Sequence, residues 1–272
     1  MSFIVLVRGG GDLASGVVLR LHRSGLPVIV AELPRPMAVR RRVSFAEAIF
    51  SGEITIEGAT ARSVASAADF ALTMQVLAKG QIPVIVDPDG DSIGQFKPSV
   101  IVDARMLKRH LEQDRSRIPL LIGLGPGFVA GENCHAVIET HRGSSMGRVI
   151  WMGPAQTDTG IPEAVAKHEA DRVLRAPAEG TIEAFAEIGD HLEPGQLIAD
   201  IGRKPVTAPF KDILRGLIHA GMPVLKGVKI GDADARDDPR LCTHVSDKAL
   251  AVGGGVLEAI LSRSELRSQL WK

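Results

Sequence analysis

Phe3-Ile4-Val5-Leu6-Val7-Arg8-Gly9-Gly10-Gly11-Asp12-Leu13-Ala14-Ser15-Gly16 is the stretch that decides how this chain begins to fold. An apolar run reads as a buried strand, and Leu13 to Ser24 reads as a helix. The glycines between them have the spacing Gly9-x-Gly11-x-x-Ala14, the dinucleotide fingerprint with alanine in third place. Glycines let the backbone turn tightly and approach a pyrophosphate. The helix start then offers free N–H groups and the positive end of its dipole. A second strand, Pro27-Val28-Ile29-Val30-Ala31, ends at Glu32, where a ribose-binding carboxylate belongs. The pattern predicts Gly9, Gly10, Gly11 and Asp12 around a phosphate and Glu32 on a sugar. A tight strand-to-helix turn without a ligand is the alternative.

The rest of the first third continues the alternation. Ala67 to Lys79 reads as a helix ended by Gly80, and Pro83-Val84-Ile85-Val86 and Val100-Ile101-Val102-Asp103 read as strands. Ser44-Phe45-Ala46-Glu47 has the form of a capping box. Strands alternating with helices predict an α/β class with a Rossmann-like, mainly parallel sheet. A second glycine-rich loop, Gly123 to Gly131, follows the strand Ile118 to Ile122. Cys134 to Thr140 then reads as another strand.

Residues 172–235 contain a gapless repeat at an offset of 32. Ala176-Pro177 recurs as Ala208-Pro209, Ile182 as Leu214, Gly189 as Gly221, Leu192 as Val224, Gly195 as Gly227 and Ile198 as Ile230. Two such units, each unable to bury its own face, are expected to interlock about a pseudo-twofold axis. The pattern resembles the barrel-sandwich hybrid of the biotinyl/lipoyl superfamily. Lys204, near the junction, lacks the sequence context of a carrier lysine, so the β-domain reads as structural or as a docking surface. The expected division is a Rossmann-like domain over 1–170, a barrel-sandwich hybrid over 171–236, and a tail over 237–272 packing back on the first domain. Gly253-Gly254-Gly255 before a final helix reads as close backbone packing or as an anion site.

Composition narrows the function classes. The chain has 272 residues, formal net charge zero, 45% hydrophobic residues and 4% aromatics without tyrosine, so nothing favours nucleic acid. No apolar run approaches the roughly 20 residues that span a bilayer, which predicts no membrane association. Two cysteines, Cys134 and Cys242, make no disulfide framework, and a cytoplasmic location is the default. The eight histidines show neither HxH nor HExxH, so no metal site is expected.

Three groups carry candidate chemistry. Gly125 and Gly127 of the second loop, with Glu139 and Arg142, are expected to line a ligand pocket. Cys134, His135 and His141 are the candidate catalytic residues, with Cys134 as a transient carrier thiol or simply a buried small apolar group. Arg41, within Arg40-Arg41-Arg42, is expected to reach a phosphate. The cofactor this implies is NAD or another nucleotide.

Read together, Arg8 to Gly16, Val39 to Ala48, Gly125 to Gly131, His135 to Thr140, Lys229-Ile230-Gly231-Asp232, Ser246 to Ala251 and Gly253 to Ile260 resemble the YqeB family. That family comprises accessory proteins of selenium-dependent molybdenum hydroxylase systems, and the motifs span nearly the whole chain in order. The resemblance implies a role in maturing a molybdenum hydroxylase, in handling its cofactor or installing selenium, with the apo-enzyme as partner; the leading reading takes the dinucleotide form of molybdenum cofactor as the ligand of the glycine loop. It transfers a pathway and no catalytic residue. Two other readings stand beside it, an NAD-dependent oxidoreductase and a nonenzymatic scaffold. The sequence leaves open turnover and the oligomeric state, a homo-oligomer included.

Overall fold

Apolar runs that end in glycine or an acidic residue form the strands of a computed structural model, which describes residues 3–107, 109, 115–157, 171–236 and 238–270. Contacts group the chain into two units. The first comprises Met1–Pro36, Phe45–Asp158 and Val245–Lys272, and the second Met37–Ser44 and Thr159–His244. The expected boundaries after 170 and 236 fall beside residues outside those described, and the short segment Met37–Ser44 groups with the second unit.

The strands of the first unit are β1 (Val5–Arg8), β2 (Val28–Glu32), β3 (Glu53–Ile56), β4 (Ala59–Val64), β5 (Ile82–Val86), β6 (Val100–Asp103), β7 (Leu120–Leu124), β8 (Val129–Ala130), β9 (Ala136–Ile138), β10 (Val149–Ile150) and β11 (Gly153–Pro154). Its helices are α1 (Asp12–Arg23), α2 (Ala48–Ser51), α3 (Phe70–Ala78), α4 (Asp91–Phe96), α5 (Asp247–Leu261) and α6 (Ser264–Leu270). Nine strands form one sheet in the order β10-β9-β7-β6-β1-β2-β5-β4-β3. The strands from β9 to β4 in that order run parallel, and β10 and β3 close the two edges antiparallel. Continuous apolar runs such as Val5-Leu6-Val7 suit strands covered on both faces. Leu6, Ile29, Ile85, Ile101 and Leu121 share one buried cluster with Phe96 of α4.

α1 starts at Gly11 without a side-chain cap. Asp12 in its first turn and Arg20, His22 and Arg23 in its last complement its dipole. It packs on α5 through glycines. A Cβ on Gly16 would lie 2.5 Å from the backbone of Ala249, and one on Gly253 would lie 2.7 Å from the Gly16 carbonyl oxygen. Gly253 and Gly255, the latter against Gly147, therefore serve close packing from inside α5, whose first turn is capped by Ser246 Oγ accepting from Ala249 N–H at 3.1 Å.

The second unit holds β12 (Val173–Arg175), β13 (Gly180–Ala184), β14 (His191–Leu192), β15 (Leu197–Ile201), β16 (Lys204–Thr207), β17 (Asp212–Leu217), β18 (Pro223–Val224) and β19 (Lys229–Asp234). They form two four-stranded antiparallel sheets, β12-β19-β17-β14 and β16-β15-β13-β18, each drawing strands from both repeats. Apart from the prolines, the repeated apolar positions are all buried in one core. Its four repeated glycines, Gly189, Gly195, Gly221 and Gly227, all have positive φ. Their amides bond reciprocally across the repeats: Gly189 N–H to Leu214 O at 2.8 Å and Gly221 N–H to Ile182 O at 2.9 Å, Gly195 N–H to Ala208 O and Gly227 N–H to Ala176 O, both at 2.8 Å.

These sheets correct the expected fold class. In place of a Rossmann-like sheet joined to a biotinyl/lipoyl-like barrel-sandwich hybrid, the protein has a nine-stranded mixed sheet and separate antiparallel sheets. Strand–helix alternation sets the parallel middle of a sheet but says nothing about hairpins such as β3–β4 added at its edge. A repeat dictates that its halves bond to each other; short strands with register breaks decide how the sheets divide. The capping box is also absent. Ser44 Oγ donates to Arg40 O at 2.9 Å, and tight 3-10 turns over Arg41–Val43 and Phe45–Glu47 precede α2.

A buried ionic cluster lies in the second unit. Asp232 pairs with Arg172 at 2.8 Å, and Asp234 takes Arg236 at 2.7 Å and Arg215 at 3.2 Å. Neither oxygen of the buried Asp212 has a hydrogen-bond partner among the described residues. Burial, and then the charge of Asp234, push its carboxyl from 3.8 up to about 6.

Two stability outcomes follow from this packing. Gly16→Ala should destabilise the protein by about 1–3 kcal/mol, because the new methyl meets backbone that cannot move aside. Gly254→Ala, exposed and with open space in the same region of α5, should stabilise it by roughly 1 kcal/mol. Urea denaturation of the two variants reads the opposite signs. Asp212 in its protonated form favours the fold, a contribution complete below pH 3.8 and lost as pH rises through about 6. Asp212→Asn should therefore be more stable than the parent at neutral pH, the gap closing on acidification, as followed by urea midpoints across that range.

Candidate functional site

Because β1, β2, β5, β6, β7 and β9 run parallel, the loops after them meet at one edge of the sheet. Ligands of parallel α/β sheets bind at this carboxyl edge, above all where successive connections leave in opposite directions. Here that point lies between β1 and β6, for β2 follows on one side of β1 and β6 stands on the other.

Gly10 is the hub of the first loop. Its N–H donates to Glu32 Oε2 at 2.6 Å, and its carbonyl accepts from Ala46 N–H at 2.9 Å and Ser15 Oγ at 3.1 Å. Ser15 Oγ in turn accepts from Phe45 N–H at 2.8 Å. A Cβ on Gly10 would lie 2.9 Å from Ala46 N, so the fold itself demands glycine there. Gly9 has φ +97°, which also favours glycine. Gly11 differs. Its φ of −70° suits any residue, and no described atom lies within 4 Å of where its Cβ would be. Asp12 follows it as the first residue of α1.

Glu32 takes Gly10 N–H on one oxygen and Leu33 N–H, at 2.7 Å, on the other. Burial raises its pKa, while these two bonds work against the shift. The expected sugar ligand is therefore first of all a brace for the glycine loop.

Across β1, in register with Arg8, stands the buried Asp103. Arg105 grips it through Nε at 3.0 Å and Nη2 at 2.6 Å, while Arg8 Nη1 lies 3.6 Å away. Burial and the charge of Arg105 lower the Arg8 pKa; Asp103 and Asp87 oppose the shift. Asp87, after β5, caps the start of α4 by accepting from Gly90 N–H at 3.0 Å, Asp91 N–H at 2.8 Å and Ser92. Arg105 had no signal beyond an acidic strand end two residues before it. Arg8 stood in plain view in the glycine motif without a role.

The second loop follows β7 at the same edge. Gly125 has φ +68° and sits against Thr140; Gly127 has φ +99°, and a Cβ there would lie 2.6 Å from the Arg109 carbonyl oxygen. Both glycines are accounted for by packing. Glu139, after β9, is buried, accepting from His141 N–H at 2.7 Å and Gln156 N–H at 2.8 Å. It organises its loop with one backbone amide on each oxygen. Arg142 makes a bidentate pair with Asp247 at 2.6 and 2.9 Å. It and His141 lie three strand steps from β1, roughly 14 Å at ordinary strand spacing.

Cys134 and His135 are not part of this edge. They precede β9 and so lie at the opposite, amino end of the sheet, about 13 Å from Glu139 at the rise of a strand. His135 Nδ1 accepts from Leu121 N–H at 2.9 Å, and burial, followed by Arg115 and Arg263, lowers its pKa. The Cys134 thiol is buried, and burial pushes its pKa up to about 11. Neither suits the catalytic part expected of it. Arg41 groups with the second unit, where Nε donates to Leu217 O at 2.7 Å and Nη1 lies 3.4 Å from His219 Nδ1. Arg40 likewise donates to Leu241 O and His244 O, at 2.8 and 2.9 Å. Their spacing in sequence does not tell which carbonyls the guanidiniums satisfy. Among the described residues there is no group of three or more His, Cys, Asp or Glu side chains arranged for a metal ion, and no helix is long and apolar enough to cross a membrane.

No family model matches the chain. It is 46% identical over 258 residues to the uncharacterized protein YqeB of Escherichia coli (strain K12), covering 95% of this chain and 47% of that one. The chain thus spans about half the length of this curated relative. Among solved structures it shows a distant likeness to an aspartoacylase family protein from Mesorhizobium loti, with TM-score 0.26 and 10% identity over 85% of this chain and 84% of that one. The ectoine utilization protein EutE (DoeB) from Ruegeria pomeroyi, with product bound, gives 0.25 and 12% over 85% of each. A succinylglutamate desuccinylase/aspartoacylase from Rhodobacter sphaeroides gives 0.22 and 21% over 26% of this chain and 24% of that one. Scores of this size transfer no residue role.

Both cysteines are buried with raised pKa. A thiol reagent such as Ellman's should label neither in the folded protein at neutral pH and both after denaturation. Rapid labelling of one thiol in the native state would contradict the placement of that residue.

Proposed function

We propose that this chain, a relative of YqeB whose similarity supports placing it in the YqeB family over about half of that protein's length, holds a phosphate-bearing ligand while a selenium-dependent molybdenum hydroxylase matures. The ligand class is a nucleotide or the dinucleotide form of molybdenum cofactor, and the apo-hydroxylase is the partner. The observation that carries the ligand half of this reading is Gly11. The fold explains Gly9 and Gly10 through φ and packing, but it needs no glycine at Gly11. Open space there, at the first turn of α1, suits close approach of an anion to the helix start. The hydroxylase half rests on the family resemblance. If the cofactor is the ligand, Gly11 and the amides of α1 would hold its phosphate, and the bound group would supply the redox chemistry to its eventual enzyme.

Of the two acid or base candidates of the hydride-transfer reading, His135 lies at the opposite end of the sheet, while Lys248 stands in the first turn of α5. A ligand-holding role needs no proton-transfer pair.

Native mass spectrometry of the full chain, purified gently from cells expressing the hydroxylase system, should show a phosphate-bearing adduct. Gly11→Leu should lose the adduct while changing stability by less than about 1 kcal/mol, since its side chain points into open space. An adduct that survives in Gly11→Leu, or a chain without any adduct, would overturn the ligand reading. Loss of hydroxylase activation in cells carrying Gly11→Leu tests the partner half.

A further inference from the structure

Arg8 and Arg105 share one carboxylate at the carboxyl edge, and the sharing is unequal. Arg105 takes Asp103 through three hydrogen bonds of 2.6 to 3.2 Å, using Nε and Nη2. Arg8 approaches the same carboxylate only as an ion pair at 3.6 Å. No hydrogen bond joins the Arg8 guanidinium to any described residue, and its side chain keeps a fifth of its surface open to solvent. Nη1 of Arg105 is also unspent among the described residues.

The neighbouring acids do not complete the balance. Asp87 lies near enough to favour the Arg8 charge, yet both its oxygens are taken by the start of α4. Glu32 lies on the β2 side of the loop and spends its oxygens on Gly10 and Leu33. Two like charges are thus held together beside the buried Asp103, with Asp87 the only other acid acting on Arg8 among the described residues, and guanidinium N–H groups are left without a described acceptor. A dianion placed between them would relieve their repulsion and satisfy both sets of N–H groups.

We infer that Arg8, assisted by Nη1 of Arg105, is the phosphate-binding side chain of this edge, with Asp103 as the positioning residue that holds Arg105 in place. The inference rests on the reading that a phosphate-bearing ligand is held here, and it names the group that recognises it. Glu32 occupies the Gly10 amide, so the anion is directed to the β1–β6 side of the loop and away from β2. A tetrahedral dianion uses two guanidiniums better than a carboxylate does, which sets the ligand class as a phosphate ester with its terminal phosphate on Arg8.

Isothermal titration of the full chain with inorganic phosphate, and in parallel with acetate, tests this at neutral pH. Phosphate should bind and acetate should bind more weakly. Arg8→Met should weaken phosphate binding by at least about tenfold, the loss of charge-assisted hydrogen bonds. Arg8→Lys should retain part of it, since the charge stays and the planar fork goes. Arg62→Met, on β4 and paired with Glu53, should bind as the parent does. Should Arg8→Met fail to fold, the Arg8 Nε–H resonance of the parent, which should shift on adding phosphate, gives the same answer without a variant. Equal phosphate affinity in parent and Arg8→Met, or a parent that does not bind phosphate, overturns the inference. An adduct in native mass spectrometry that persists in Arg8→Met would overturn it while leaving the proposed function standing.

Discussion

The carbonyl and amide of Gly10 tie the first unit's chemistry to its fold. One residue joins the end of β1 to the end of β2 through Glu32, to α1 through Ser15, and to the segment before α2 through Ala46. A side chain at Gly10 would collide with Ala46 and break these ties together. The position of α1 over the sheet and the direction of its first turn follow from this junction, while the register of β1 on β6 sets Arg8 beside Asp103. Burial of Glu32 makes its bonds to the loop stronger and its charge more costly, so the brace is rigid and electrostatically exacting.

That junction also divides the edge by sign. On the β2 side a carboxylate fills the nearest amide. On the β6 side two guanidiniums converge on one carboxylate. A helix start alone would attract anions without preference for either side. With Glu32 filling the Gly10 amide, the inferred anion site lies on the side of β1 and β6. The glycines of the loop have separate tasks within this arrangement: Gly9 turns the chain, Gly10 allows the clamp, and Gly11 leaves room.

The second unit shows a different route from sequence to structure. Its repeat survives as reciprocal amide-to-carbonyl bonds between glycines of one half and apolar residues of the other. Positive φ at all four repeated glycines explains why these positions recur. Of the buried acids of this unit, Asp232 and Asp234 pair with arginines, whereas Asp212 finds no hydrogen-bond partner among the described residues and its carboxyl pKa is raised to about 6. The repeat therefore encodes mutual dependence of two halves, while the ionic cluster is a property of one side of the pair.

Periodicity and local chemistry made several features legible in advance. Continuous apolar runs marked β1, β2, β5, β6 and β7, because strands buried on both faces need no polar alternation. The repeat marked the core positions of the second unit, because identical spacing imposes identical burial. Other features depended on residues far apart in sequence. The antiparallel edges, the division of short strands into two sheets, the placement of Cys134 and His135 at the opposite end from Glu139, and the grouping of Arg41 with the second unit are of this kind. So is the Arg8–Asp103–Arg105 cluster, which spans β1 and β6. Local sequence determines which residues can form strands, turns and helix starts, since those preferences are set by neighbouring atoms. Which charges meet, and which carbonyl a guanidinium satisfies, is decided by the tertiary structure, because strand register alone brings such distant groups within bonding distance.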